Sequence, residues 1–190
     1  MRRLALVLLA GCVDASDPPW QLDHDRVVAV AADPPRIAPG QSARITALVA
    51  HAGAPVDEEQ PVAMTVVSPR DLYTAVHYNI DHWQIDCPPL TAPTALEVEM
   101  RLPAGEIATK TIWLGGTGAN PQVSASVPDP FPRGRDVDLG AGEWFTSCGT
   151  LRGPHLSVLR VDEPCEGQVV VVVRDGAGGV AWQVLALHAP

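Results

Sequence analysis

Gln168-Val169-Val170-Val171-Val172-Val173-Arg174-Asp175-Gly176-Ala177-Gly178-Gly179-Val180-Ala181-Trp182 is the stretch on which the fold turns. Valine is stiff at its first side-chain torsion and packs well on a pleated surface, so five in a row favour a strand. The run is too short for a buried helix, and Arg174-Asp175-Gly176 stops it. It reads as a buried strand, a glycine-rich hairpin turn and a returning strand through Leu187.

Upstream, Ser42-Ala43-Arg44-Ile45-Thr46-Ala47-Leu48-Val49-Ala50 places Ala43, Ile45, Ala47 and Val49 on one face of a strand, opposite Arg44 and Thr46. Leu48 interrupts the polar side. Arg26 to Ala32 is a β-branched run stopped by Asp33-Pro34-Pro35. Val62 to Val67, Ala95 to Leu102, Ala108 to Leu114 and Val123 to Val127 are further strand candidates, the clean alternation Leu96-Glu97-Val98-Glu99-Met100 being the firmest. Nineteen prolines and sixteen glycines punctuate 190 residues too often for long helices. The fold class is therefore all-β.

Asp33-Pro34-Pro35-Arg36-Ile37-Ala38-Pro39-Gly40-Gln41-Ser42 resembles the opening of bacterial immunoglobulin-like domains, in which a Pro-Gly turn precedes an alternating strand. The last third, with Glu143-Trp144-Phe145-Thr146-Ser147-Cys148-Gly149, then Glu163-Pro164-Cys165-Glu166-Gly167, then the valine run, resembles the final strands of such domains in Gram-negative surface lipoproteins. The resemblance implies immunoglobulin-like β-sandwich structure, as two small units in tandem at 24–114 and 123–190 with the glycine-rich 115–122 as linker or long loop, or as one elaborated sandwich. That pattern is structural and carries no catalytic residue with it.

Met1-Arg2-Arg3 followed by Leu4 to Ala10 and Gly11-Cys12 has the order of a secretory leader over 1–11: positive start, apolar run, small residues before a cleavage point. No apolar stretch reaches the length of about 20 residues that spans a bilayer as a helix. Leu9-Ala10-Gly11-Cys12 resembles the lipobox of bacterial lipoproteins. The resemblance implies a diacylglycerol on the Cys12 thiol and an N-acyl chain, which together anchor a protein stably. Residues 12–23 then form a tether, and Val13, in place of aspartate, favours the outer membrane, facing the periplasm or the cell surface.

The formal charge of −9, with Lys110 the only lysine, repels phosphate backbones and so disfavours nucleic-acid binding; none is expected. Besides Cys12 the chain has Cys87, Cys148 and Cys165. Export to an oxidising compartment favours pairing, and Cys148 with Cys165 is preferred because both lie beside strands of the C-terminal unit with a modest loop between them. Pairings with Cys87 stay open.

The densest set of potential metal ligands is His77, Asp81, His82, Asp86 and Cys87. On an extended strand His77 and Asp81 share one face while His82 and Asp86 share the other, so convergence requires a turn. Zinc or copper is the class these residues would serve. Asp23-His24-Asp25 is a smaller acidic and histidine cluster. Asp136, Asp138 and Glu143 offer the hard oxygens calcium takes, without the EF-hand spacing. Ser147 with His155 is the one nucleophile and base pair a hydrolase could use, and no Gly-x-Ser-x-Gly elbow accompanies it. Trp20, Trp83, Trp113, Trp144 and Trp182 read as core fillers ahead of a sugar-stacking surface.

These observations point to a lipid-anchored, non-catalytic binding, adhesion or scaffolding module of the cell envelope, free of cofactors beyond its lipid, with an envelope protein or a glycan as partner. A periplasmic metal-binding lipoprotein using His77 to Cys87 is the first alternative, and a hydrolase the second.

Overall fold

The structure, a computed structural model, describes residues 18–190; the leader, Cys12 and the first part of the tether lie outside the described residues. The elements in chain order are β1 (Arg26–Asp33), β2 (Arg36–Ile37), β3 (Ser42–Ala50), β4 (Asp57–Glu59), β5 (Ala63–Ser68), a 3₁₀ turn (Arg70–Ala75), β6 (Val76–Asn79), β7 (His82–Asp86), β8 (Thr94–Arg101), β9 (Ile107–Leu114), β10 (Asp136–Asp138), β11 (Glu143–Thr146), β12 (Thr150–Arg152), β13 (Val158–Arg160), β14 (Cys165–Arg174) and β15 (Val180–Ala189). The all-β expectation holds, and no helix among the described residues is long and apolar enough to cross a membrane.

Two sheets enclose the first core. One has the order β1-β3-β7-β6, with β4 also pairing β3; the other runs β2-β9-β8-β5, and β2 joins β9 in parallel. Ala43, Ile45, Ala47 and Val49 of β3 meet Leu96, Val98, Met100, Ile112 and Leu114 of β8 and β9 there. The alternation read from β3 and β8 thus sets which face is buried, because one residue of slip would turn every apolar side chain outward.

Leu48, which broke the alternation of β3, has its own reason. Its side chain is 1 % exposed on the opposite face, in a second core with Val28, Ala29, Ala50, Phe145, Val170, Val172 and Val180. The sheet β11-β14-β15 packs there, so β3 is covered on both sides near its end. The valine run is divided in the same way. Val170 and Val172 enter this second core, whereas Val169 and Val171 enter a third, with Phe131, Trp144, Leu159 and Leu187, completed by the small sheet β10-β13-β12. Burying each such side chain contributes about 1.5–3 kcal/mol relative to exposure.

Pro18 to Leu22 also belongs to this packing: Leu22 is 2 % exposed and its N–H donates to Thr146 O at 3.0 Å. The β14–β15 turn reaches back over the open edge of β1. Arg174 donates to Val28 O at 3.4 Å, Arg36 Nε to Ala177 O at 3.0 Å and Lys110 Nζ to Gly178 O at 3.0 Å. The turn is closed by Asp175, whose Oδ1 accepts the N–H groups of Ala177 and Gly179. Gly179 is required, since a Cβ there would stand 2.6 Å from Asp175 Oδ2 and 2.9 Å from Pro121 Cδ.

The expected strand Val123 to Val127 forms no ladder. Val123, Ala125 and Val127 do pack against the third core, alternating with exposed neighbours, but the Ala125 N–H goes to Gln183 Oε1 at 2.9 Å. Pro121 and Pro128 bracket the stretch, and proline lacks the N–H that a ladder needs. Cys148 and Cys165 form a disulfide with Cα atoms 6.5 Å apart, joining the end of the β11 segment to the start of β14.

Candidate metal centre

Pairing of Arg26 with Ala50 in the β1–β3 ladder brings the next residues outward, Asp25 and His51, to the same end of the sheet. Strand β4 pairs β3 with Glu59 opposite Ala47, which carries Glu59 toward the same place. The second sheet contributes Glu106 from the tight β8–β9 turn, in which Leu102 N–H donates to Glu106 O at 2.9 Å and Gly105 takes φ +107°. A left-handed backbone of that kind favours glycine.

The result is one histidine among three carboxylates. One ligand atom each of Asp25, His51 and Glu106 lies within 4.8 Å of the others. His51 Nε2 is 2.6 Å from Glu59 Oε1, and Nδ1 is 3.5 Å from Asp25 Oδ1. Asp25 Oδ1 also accepts the Ala52 N–H at 2.9 Å, and this bond, ahead of the neighbouring His51, holds its carboxyl below the ordinary value. The hydrogen bond to Glu59 is the main reason that His51 is held above the ordinary imidazole value, with the Glu59 charge, the hydrogen bond to Asp25 and the Glu106 charge adding to it against burial.

Two oxygens at this end have no hydrogen-bond partner among the described residues and essentially no contact with solvent: Glu59 Oε2 and Glu106 Oε2. Carboxylate oxygens without donors are costly to bury, and a cation removes that cost. The geometry assigns distinct roles. Glu59 accepts the Nε2 proton and fixes the imidazole tautomer, leaving Nδ1 facing Asp25, in the way outer carboxylates orient metal-bound histidines. Asp25, which is exposed, His51 through Nδ1 and Glu106 would then supply a nitrogen and oxygen ligand set, of the kind that suits zinc and related first-row ions better than calcium.

Of the five residues singled out between His77 and Cys87, four fall on the β6–β7 hairpin and separate into two pairs, and Cys87 follows β7. His82 Nδ1 lies 2.6 Å from Asp81 Oδ1, and His77 Nε2 lies 3.7 Å from Asp86 Oδ2. Burial acts to raise the Asp86 carboxyl, but bonds from Ser42 and Gln84 outweigh it and hold it low. Cys87 turns into the first core, 2 % exposed, and its thiol donates to Pro88 O at 3.5 Å.

Of Asp23-His24-Asp25, the first two pair with each other at 2.9 Å while Asp25 enters the centre described above. The residues weighed for calcium are held separately: Asp136 by Arg160 at 3.5 Å, Asp138 by the Gly140 N–H at 2.9 Å, and Glu143 by Arg174. Ser147 Oγ accepts the Gln168 N–H at 2.8 Å, with no hydrogen bond linking it to His155 among the described residues. Trp144 is a core filler, 2 % exposed, with its indole N–H donating to Gly140 O at 3.0 Å.

Sequence reasoning singled out Asp25 but missed His51, Glu59 and Glu106, which lie far apart along the chain with no local motif; only the strand register unites them. No protein-family model matches the chain, and no curated protein matches its sequence.

Proposed function

We propose that this chain is a non-catalytic binding module of the cell envelope, immunoglobulin-like in its first sandwich, that takes up a divalent cation of the zinc class at Asp25, His51 and Glu106. The observation that carries the reading is the convergence of these three side chains from both sheets, with Glu106 Oε2 lacking any donor among the described residues. A cation there ties β1 and β3 of one sheet to the β8–β9 turn of the other.

The strand order supports the immunoglobulin-like reading. A β1-β3-β7-β6 sheet against β2-β9-β8-β5 is the order A-B-E-D against A′-G-F-C. The lipid tether rests on Leu9-Ala10-Gly11-Cys12 and makes the outer membrane the proposed location. Adhesion is favoured by the β6–β7 hairpin, where Ile80 at the tip is 93 % exposed, beside exposed Tyr78, whose ring meets Trp83 edge-on at 5.6 Å. An exposed apolar tip of this kind suits an envelope protein partner.

Equilibrium dialysis of chelator-treated protein against zinc or calcium, followed by elemental analysis, tests the function. One zinc per chain with calcium left behind supports it; a zinc-free protein overturns it.

A further inference from the structure

Strand β4 (Asp57–Glu59) is three residues long and pairs only β3. Its two glutamates leave the strand on opposite faces, because successive side chains of a strand alternate. The register on β3 shows which face is which. Glu59 stands opposite Ala47, whose side chain belongs to the first core, and Glu58 opposite Leu48, whose side chain belongs to the second. Glu59 thereby reaches the metal centre, where its Oε1 lies 2.6 Å from His51 Nε2. Glu58 turns to the C-terminal sheet, where its Oε1 accepts the indole N–H of Trp182 on β15 at 2.7 Å.

A second bond ties the same segment to the same sheet. The Val56 N–H donates to Gln168 Oε1 on β14 at 2.7 Å, and the Val56 side chain, 8 % exposed, packs in the second core. Val56 and Glu58, on either side of Asp57, are thus held by partners 112 and 124 residues away in sequence. These anchors matter because the β3–β4 ladder spans only three residue pairs, and so short a ladder opens easily on its own. The Trp182 ring is the firmer end of the link, packed against the second core. Glu58 cannot move away from β3 without carrying its neighbour Glu59 with it.

We infer that Trp182 is a positioning residue of the metal centre, acting through Glu58 and β4 on the Glu59 carboxylate that orients His51. Cation uptake in the first sandwich and seating of the C-terminal sheet are then coupled. The inference rests on the zinc-class site proposed above. The link is a contiguous chain of hydrogen bonds, Trp182 to Glu58 on one face of β4 and Glu59 to His51 on the other. Such coupling is reciprocal: whatever the Trp182 bond adds to cation affinity, the cation returns to the Trp182 bond.

The experiment is a calorimetric zinc titration of the whole protein as native chain, Trp182→Phe, Glu58→Ala and Glu58→Gln, with the visible spectrum of each cobalt(II)-loaded form as a reading of ligand geometry. Phenylalanine keeps an aromatic ring against the second core and removes the N–H. Alanine and glutamine both remove the Glu58 charge, but only glutamine keeps an oxygen that accepts from the indole. Zinc affinity is expected to fall by about fivefold or more in Trp182→Phe and Glu58→Ala, the lower end of coupling between sites, and to recover in Glu58→Gln. The cobalt spectrum should change in the first two variants and return in the third. In the native chain zinc should slow solvent exchange of the Trp182 indole proton, identified as the indole signal missing from Trp182→Phe. Unchanged affinity and spectrum in Trp182→Phe and Glu58→Ala, no recovery in Glu58→Gln, or no slowing of indole exchange would each overturn the inference and leave the zinc site standing. A native chain that takes up no zinc would overturn the site and the inference together. Should Trp182→Phe fail to fold, the two variants at exposed Glu58 decide.

Discussion

His51 Nε2 and Glu59 Oε1 lie 2.6 Å apart, and Glu59 Oε2, the other oxygen of the same carboxylate, is buried with no partner among the described residues. One half of the side chain orients the imidazole while the other waits for a donor. Without metal, this arrangement stabilises the imidazolium. The resulting pH dependence has a definite sign. A group whose pKa is higher folded than unfolded adds stability that is complete below its ordinary value of 6.5, and loses it as pH rises through the folded value. Chelator-treated protein should therefore lose thermal stability as pH climbs above about 6.5, by up to about 1 kcal/mol for a pair this near the surface, while His51→Gln stays flat across that window. Melting curves from pH 5.5 to 8.5 check it, and identical profiles for the two proteins contradict it.

Zinc reverses that slope. A metal at Nδ1 competes with a proton, so zinc uptake should strengthen with rising pH and release protons into buffer. The calorimetric heat in buffers of different ionisation enthalpy measures the release; heat independent of buffer contradicts it.

Leu48 tests the layering. Its side chain is buried in the second core with Phe145 and Val170, so Leu48→Ala should cost about 2–5 kcal/mol, as core truncations do. Leu48→Thr restores the polar alternation seen in the sequence and should also destabilise, since it buries a hydroxyl there. Denaturant unfolding measures both, and a neutral Leu48→Thr would show that this face is open to water.

Much of this architecture was legible in the sequence. The spacing of Ala43, Ile45, Ala47 and Val49 shows the face that points to the first core, and the valine run ending in Arg174-Asp175-Gly176 shows the β14–β15 hairpin. The Cys148–Cys165 disulfide was preferred on the position of both residues beside strands, and the structure contains it. Leu48 was visible only as an irregularity, because local alternation does not say that a second sheet will cover the outer face. The metal centre was less legible still. His51 follows a strand, Glu106 sits in a turn and Glu59 ends a three-residue strand, and proximity among them is a property of pairing, not of spacing. The His77 to Cys87 segment had the right residue types, but the two-residue hairpin loop divides them into pairs and the core claims Cys87.

Ile80 offers a test in the opposite direction. It is β-branched, 93 % exposed and holds φ +54°, a left-handed conformation that costs a non-glycine residue about 1–2 kcal/mol. Ile80→Gly or Ile80→Asn should raise stability by about 1 kcal/mol while removing the apolar tip. A loss of stability in both variants would show that the tip packs against something in the free protein.

The most direct measurement is a calorimetric zinc titration of the native chain beside His51→Gln and the double variant His77→Gln/His82→Gln. One zinc per native chain, lost in His51→Gln and retained in the hairpin variant, is the expected result. Retention in His51→Gln with loss in the hairpin variant would place the metal on the β6–β7 hairpin, and no zinc heat in any of the three would remove the metal centre altogether.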